Sequence, residues 1–157
     1  MSCSLRPVGH AHRARLELLT RGTGLFREDE VATAIELLDE SLAGDDDYQF
    51  VGAFVADQLI GYACWGATPG TLATSDLYWI VVDRERQGSG IGSQLLREVE
   101  SRLTADGRRL VVVETSSRAD YAPTRAFYES RGYTRTATIP GYYAPGDDLV
   151  VFTKDLT

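Results

Sequence analysis

The stretch of this chain best suited to chemistry is Arg86-Gln87-Gly88-Ser89-Gly90-Ile91-Gly92-Ser93. Glycines let successive backbone N–H groups turn toward a common point without interference from a Cβ. A helix starting there adds free N–H groups and a partial positive charge. Such a turn is a cradle for a phosphate or diphosphate, although the same residues also suit a plain helix-capping turn. A Walker loop ends in Gly-Lys-Ser/Thr, and this turn has no lysine. The dinucleotide pattern G-x-G-x-x-G, counted from Gly88, meets Ser93 where its third small residue belongs, and no ribose-binding acid follows at the usual distance. A second signal is Glu114. It follows Leu110-Val111-Val112-Val113, where an acid breaks an apolar pattern, and a carboxylate whose pKa is raised by burial takes protons near neutrality.

A cradle of this kind needs a strand before it and a helix after it. Residues 76–82, Asp-Leu-Tyr-Trp-Ile-Val-Val, predict a central strand buried on both faces. Residues 90–105 predict a helix with Leu95, Leu96, Val99 and Leu103 on one face, stopped by Asp106-Gly107. Residues 109–115 read as another buried strand, and 122–131 as a helix ended by Gly132. Upstream, 4–8 reads as a short strand and 10–20 as a helix with Leu16, Leu18 and Leu19 near one face, broken by Gly22 and Gly24. The helix at 28–42 keeps Val31, Ile35, Leu38 and Leu42 at helical spacing. Residues 48–56 and 58–67 form an antiparallel hairpin around Asp57-Gln58. Downstream, strands near 133–139 and 148–156 flank a Pro140-Gly141…Pro145-Gly146 loop. This order implies an α/β (α+β) mixed sheet with one parallel, right-handed crossover. No repeat or linker interrupts it, so residues 1–157 read as a single domain.

Sixteen Lys+Arg against 23 Asp+Glu leave a net charge of −7. That balance repels phosphate backbones, which argues against nucleic acid, and mildly attracts a cationic amine. No apolar run approaches the ~18 residues of a membrane span, and Met1-Ser2-Cys3-Ser4-Leu5-Arg6-Pro7 lacks the apolar core of a secretory signal. The expected setting is the cytoplasm, with no membrane partner. Cys3 and Cys64 have no metal-ligand spacing, and Cys64 reads as a packing residue. Asp45-Asp46-Asp47 reads as a solvated turn rather than a metal site. His10 and His12 read as surface residues.

The spacing Gln87-x-x-Gly90-x-Gly92 after Val81-Val82 resembles the acyl-CoA loop of the GNAT superfamily of N-acetyltransferases. Thr124-Arg125-Ala126-Phe127-Tyr128-Glu129-Ser130-Arg131-Gly132-Tyr133 resembles its later motif, A-x-x-[LF]-Y-x-x-x-G-[FY]. The order of predicted elements matches as well. The resemblance implies the GNAT fold: a mixed sheet of about seven strands, splayed between strands 4 and 5 and flanked by about four helices. It implies acetyl-CoA as co-substrate and no metal. The diphosphate would lie on Gln87, Gly88, Ser89, Gly90, Ile91, Gly92 and Ser93. The pantetheine arm would lie along the backbone of Ile80 and Val82, with an N–H at Val81 or Val82 polarising the thioester carbonyl.

Tyr121 stands where the motif usually carries Asn, so that pantetheine contact falls to its hydroxyl; Thr124 replaces the motif's Ala. Tyr128 matches the superfamily tyrosine that protonates the departing thiolate. Glu114 is the first choice of base, by its similarity to the ribosomal-protein branch, and Asp76 the second, by its similarity to histone acetyltransferases. Leu25-Phe26 and Tyr142-Tyr143 lie where the superfamily builds its acceptor pocket. The implied reaction is direct attack by a primary amine in a ternary complex, the acceptor being a small molecule or a peptide N-terminus. A homodimer through the last strands is the implied assembly. The alternative is a non-catalytic acyl-CoA-binding module of the same fold.

Overall fold

Alternation of apolar residues builds the centre of the protein, and glycines and acids mark its boundaries. A computed structural model describes residues 2–157. The strands are β1 (Ser4–Arg6), β2 (Gln49–Val55), β3 (Gln58–Ala67), β4 (Thr74–Val82), β5 (Leu110–Ser116), β6 (Thr134–Ala144) and β7 (Asp147–Asp155). They form one sheet in the order β1-β2-β3-β4-β5-β7-β6. Every pairing is antiparallel except β4 with β5. The helices are α1 (Arg13–Gly22), α2 (Glu28–Leu42), α3 (Ile91–Ala105) and α4 (Ala122–Glu129).

Each face of the sheet has its own core. α1 and α2 cover Phe50, Phe54, Leu59, Tyr62, Cys64 and Val81 with Leu16, Leu19, Ile35 and Leu38. α3 and α4 cover the opposite face, where Leu95, Leu96, Val99 and Tyr128 meet Val111, Val113 and Phe152. In α2, Glu28, Asp29 and Glu30 occupy the first turn, where carboxylates complement the helix dipole. The Glu30 carboxylate also accepts the Arg27 backbone N–H at 2.9 Å. α4 stops where Gly132 takes φ 88° and the Tyr133 N–H donates to the Tyr128 carbonyl at 3.1 Å. Among the described residues no helix is long and apolar enough to cross a membrane.

Several expectations need correction. The stretch 140–144 is strand rather than loop: β6 runs to Ala144, its pairing with β7 interrupted between Ile139 and Ala144, and only Pro145-Gly146 remain as the turn. The cause is local, because the Gly141 N–H, at φ 65°, donates to Asp148 Oδ1 at 2.9 Å and absorbs the irregularity at Pro140. β4 is not buried on both faces, since Tyr78, Trp79, Ile80 and Val82 are half-buried. A 3-10 turn at His10–His12 precedes α1, Gly22 stays inside the helix, and Leu18 points to solvent at 60% exposure. His12 is half-buried; its Nδ1 accepts the Gly9 N–H at 2.9 Å and its ring meets Phe54 edge-on.

Candidate active site

The half-exposure of β4 comes from one surplus residue. β3 and β4 pair from Gly61↔Val82 to Cys64↔Trp79 and resume at Trp65↔Leu77, so Tyr78 has no opposite number. Such a bulge bends its strand and sharpens the local twist. It also breaks the alternation: Leu77, Ile80 and Val82 pack toward α3 and α4, whereas the adjacent Tyr78 and Trp79 both pack toward α1 and α2. The pairing of β4 with β5 ends at Asp76↔Val112, while β5 stays on β7 as far as Ser116↔Leu149. Between the parted strands lies a cavity of about 360 Å³.

The free edge of β4 can be assigned by parity. The Asp83 N–H donates to the Ile60 carbonyl at 2.8 Å, so Asp83 faces β3. Orientation alternates along a strand. Val81 therefore also faces β3, and Ile80 and Val82 offer their backbone groups to the gap. Of the two N–H groups expected to face a thioester, Val81 is turned away and Val82 remains.

Two carboxylates and a phenol meet in this gap. Val111 and Val113 pack toward α3 and α4, so alternation places Glu114 on the opposite face. Asp76 sits at the last paired position of β4, and both acids line the cavity. Neither is bonded to a cation or a hydrogen-bond donor among the described residues. Glu114 stays open to solvent on one side, and its partial burial in the gap, and after it the charge of Asp76, push its carboxyl above the usual carboxylate range. Tyr128 reaches the same cavity from the α4 side, 3% exposed and ringed by Phe127, Tyr133 and Phe152 at 5.2, 5.3 and 6.3 Å. Its hydroxyl has no protein partner among the described residues. Burial raises its pKa, so it stays protonated at neutral pH. Its neighbour Phe127 is half-buried and lies beneath the Arg131 guanidinium at 3.8 Å.

At the far end of β4, Asp83 holds the chain for the glycine turn. Its Oδ1 accepts the Glu85 N–H at 3.1 Å and its Oδ2 accepts from Arg15 of α1 at 2.9 Å. Gly88 and Gly90 take φ 82° and 86°, the left-handed region that side chains resist. The first bond into α3 runs from the Gln94 N–H to the Gly90 carbonyl at 3.1 Å. The N–H groups of Gly90, Ile91, Gly92 and Ser93 have no acceptor among the described residues, as a helix start leaves them, and those of Gln87 and Gly88 in the preceding turn have none either. Ile91 contributes its N–H alone, because its side chain is in the core at 7% exposure. The Ser89 hydroxyl donates to the Arg86 carbonyl, and the Ser89 N–H reaches the same oxygen at 3.3 Å. The Ser93 hydroxyl accepts from Arg131 Nε at 2.8 Å and from its Nη2.

Comparison with known families places this geometry. The acetyltransferase (GNAT) domain family matches residues 46–135. The chain belongs to the GNAT acetyltransferase family. A GNAT-family crystal structure from Desulfovibrio desulfuricans superposes with a TM-score of 0.96 at 38% identity, covering 99% of this chain and 100% of that one. Two more distant structures share the fold. The ribosomal-protein-S18-alanine N-acetyltransferase of Escherichia coli has a TM-score of 0.81 at 18% identity, covering 99% of this chain and 95% of that one. The PaiA N-acetyltransferase of Thermoplasma acidophilum, solved with coenzyme A, has a TM-score of 0.78 at 19% identity, covering 99% of each chain. Among curated proteins, an uncharacterized Mycobacterium leprae protein is 34% identical over 110 residues, 68% of this chain. The S-(2-succino)cysteine N-acetyltransferase of Bacillus subtilis is 28% identical over 72 residues, 46% of this chain. The matches span only 29% and 44% of those relatives' own lengths.

The far end of the GNAT cleft lies under the α1–α2 connection. Leu25 and Phe26 line the cavity there, with Arg27 and Glu30 beside them. Of the expected tyrosine pair only Tyr143 lines the cavity; Tyr142 is 54% exposed and meets Tyr143 edge-on at 4.9 Å. Tyr121 lines it too, its hydroxyl 3.4 Å from the Leu25 carbonyl, which ties the start of α4 to the α1–α2 connection. Trp79 and Arg131 were not singled out from sequence. Trp79 reads as one more apolar strand residue until the bulge is seen. Arg131 reads as an ordinary helix-end cation, and only the fold carries it to the start of α3.

Proposed function

We propose that residues 1–157 act as one N-acetyltransferase domain, moving acetyl from acetyl-CoA to a primary amine by direct attack in a ternary complex. One observation carries the reading. The unpaired edge of β4 runs from a cluster of free N–H groups at Gln87 to Ser93 to a cavity shared by Asp76, Glu114 and Tyr128. Free donors suit a diphosphate, and an unpaired strand edge suits the amides of a pantetheine arm. The residues fit the group. Arg131 strengthens the fit, because a cation beside the positive end of α3 is unfavourable until an anion joins it. The coenzyme A bound in the T. acidophilum fold relative supports the same choice.

When bound, acetyl-CoA supplies the acetyl group as an activated thioester. Glu114 takes the proton that the acceptor ammonium must lose before its nitrogen can attack the carbonyl carbon. Asp76 adds negative charge that holds the cationic amine and keeps Glu114 a stronger base. The Val82 N–H, fixed in the gap, stabilises charge gathering on the carbonyl oxygen. Tyr128 gives its proton to the sulfur as the carbon–sulfur bond breaks. No step calls for a metal. The acceptor is a small-molecule amine or a peptide N-terminus, and the acid-lined cavity favours a cation in either case; the B. subtilis relative is named for S-(2-succino)cysteine and the E. coli fold relative for an alanine of ribosomal protein S18. The proposal keeps the cytoplasmic setting expected from sequence, without nucleic acid or membrane. β6, an edge strand exposed along its whole length, is the surface assigned to a homodimer. Sedimentation showing only monomer at micromolar concentration would remove that assembly.

Calorimetry tests the reading. Coenzyme A is expected to bind the wild-type protein with measurable heat, and Arg131→Ala to weaken it about tenfold, the effect of losing one charge-assisted contact. No heat with wild-type protein overturns the proposal. Binding without turnover across a broad amine panel would favour a non-catalytic acyl-CoA-binding module.

A further inference from the structure

The buried hydroxyl of Tyr62 joins three elements, and its hydrogens can be assigned. Trp79 Nε1 lies 3.0 Å from Tyr62 Oη, and an indole nitrogen only donates. Tyr62 Oη lies 2.6 Å from Thr20 Oγ1, either atom being able to donate. Thr20 Oγ1 also lies 2.7 Å from the Leu16 carbonyl, which only accepts, so the threonine hydrogen goes there. Tyr62 must then donate to Thr20. The chain runs one way, from the Trp79 indole through Tyr62 and Thr20 to the backbone of α1. Tyr62 and Thr20 are wholly buried, and burial raises the pKa of the Tyr62 phenol, so it stays protonated and the chain intact at neutral pH.

Trp79 is the end of this chain that meets the cavity. The bulge turns it to the same side as Tyr78, where Phe26 meets its ring edge-on at 5.8 Å. A Trp face is the strongest aromatic partner for a cation. With Asp76 and Glu114 in the same cavity, the wall suits an ammonium carried on an apolar or aromatic skeleton. We propose that Trp79 is a specificity-determining wall of the acceptor end, and that Tyr62 is the residue that positions it. The assignment rests on the acetyltransferase reading and narrows its acceptor.

The test uses the full chain with acetyl-CoA and three amines: benzylamine, n-butylamine and alaninamide. Benzylamine is expected to have the lowest KM. Tyr62→Phe leaves the indole N–H unpaired, and is expected to raise the benzylamine KM about tenfold while kcat and the acetyl-CoA KM stay within about twofold of wild type. Trp79→Leu should erase the preference for benzylamine over n-butylamine, and Tyr62→Phe should add nothing to the amine KM of Trp79→Leu. Thr20→Val breaks the chain one step further away and should act in the same direction as Tyr62→Phe. A readout without acceptor uses the Trp65→Phe background, in which Trp79 is the remaining tryptophan. There Tyr62→Phe should raise acrylamide quenching of Trp79 fluorescence. An unchanged benzylamine KM, unchanged quenching, or an equal Tyr62→Phe effect with Trp79 absent would each overturn the assignment. Failure of every amine to react while coenzyme A binds would sink the acetyltransferase reading instead, and the quenching result would then decide the role of Tyr62 by itself.

Discussion

Tyr128→Phe is expected to lower kcat about a hundredfold, the scale of a lost general acid, while coenzyme A affinity and Tm stay near wild type. The ring sits among Phe127, Tyr133 and Phe152, and the substitution keeps all of that packing. The hydroxyl satisfies no protein group, so its removal orphans nothing and costs the fold little. A change confined to kcat therefore reports on chemistry, not on packing. Steady-state kinetics on an acetylated amine, with calorimetry for the cofactor, reads both quantities. Undiminished turnover in Tyr128→Phe removes the proton-donor role.

Glu114→Gln is expected to cost about a hundredfold in kcat/KM near neutrality and to flatten the pH profile. A base works only when ionised, so wild-type activity should rise as pH climbs through the Glu114 pKa, which burial and Asp76 hold above the ordinary carboxylate range. Glutamine has no such limb. Asp76→Asn separates the two acids. It removes the like charge, so the Glu114 pKa falls and the limb should move to lower pH and persist. If Asp76 were the base, its variant would lose the limb and Glu114→Gln would keep it. Stability should move the other way: an ionised carboxylate whose folded pKa is raised opposes folding at neutral pH. Glu114→Gln should thus melt no lower than wild type, and thermal denaturation near pH 7 checks this.

Regular segments were readable from sequence because their physics is local. The helix predicted at 28–42 occupies Glu28–Leu42, since its apolar stripe, its acids and the following glycine agree. The glycine turn and the motif around Tyr128 were readable because backbone conformation restricts which residues can stand there. Elsewhere the decisive physics lay between segments. Nothing in the run Asp-Leu-Tyr-Trp-Ile-Val-Val shows that Tyr78 will be surplus, because a bulge depends on how β3 meets β4. Hence nothing in the sequence marks Trp79, and which of Val81 and Val82 turns its N–H to the gap is set only by how β4 registers on β3. In residues 140–144, Pro and Gly signalled a loop where the Asp148 carboxylate lets the strand continue.

In the language of solids, Tyr78 is a dislocation: one extra unit in a single row, and the lattice parts beyond it. Deleting it would restore strict alternation and let the two parallel strands continue side by side. The healed sheet would satisfy more of its own backbone and have no slot for a guest. The capacity to act on another molecule thus lives in a flaw one residue long, which selection for rigidity alone would erase.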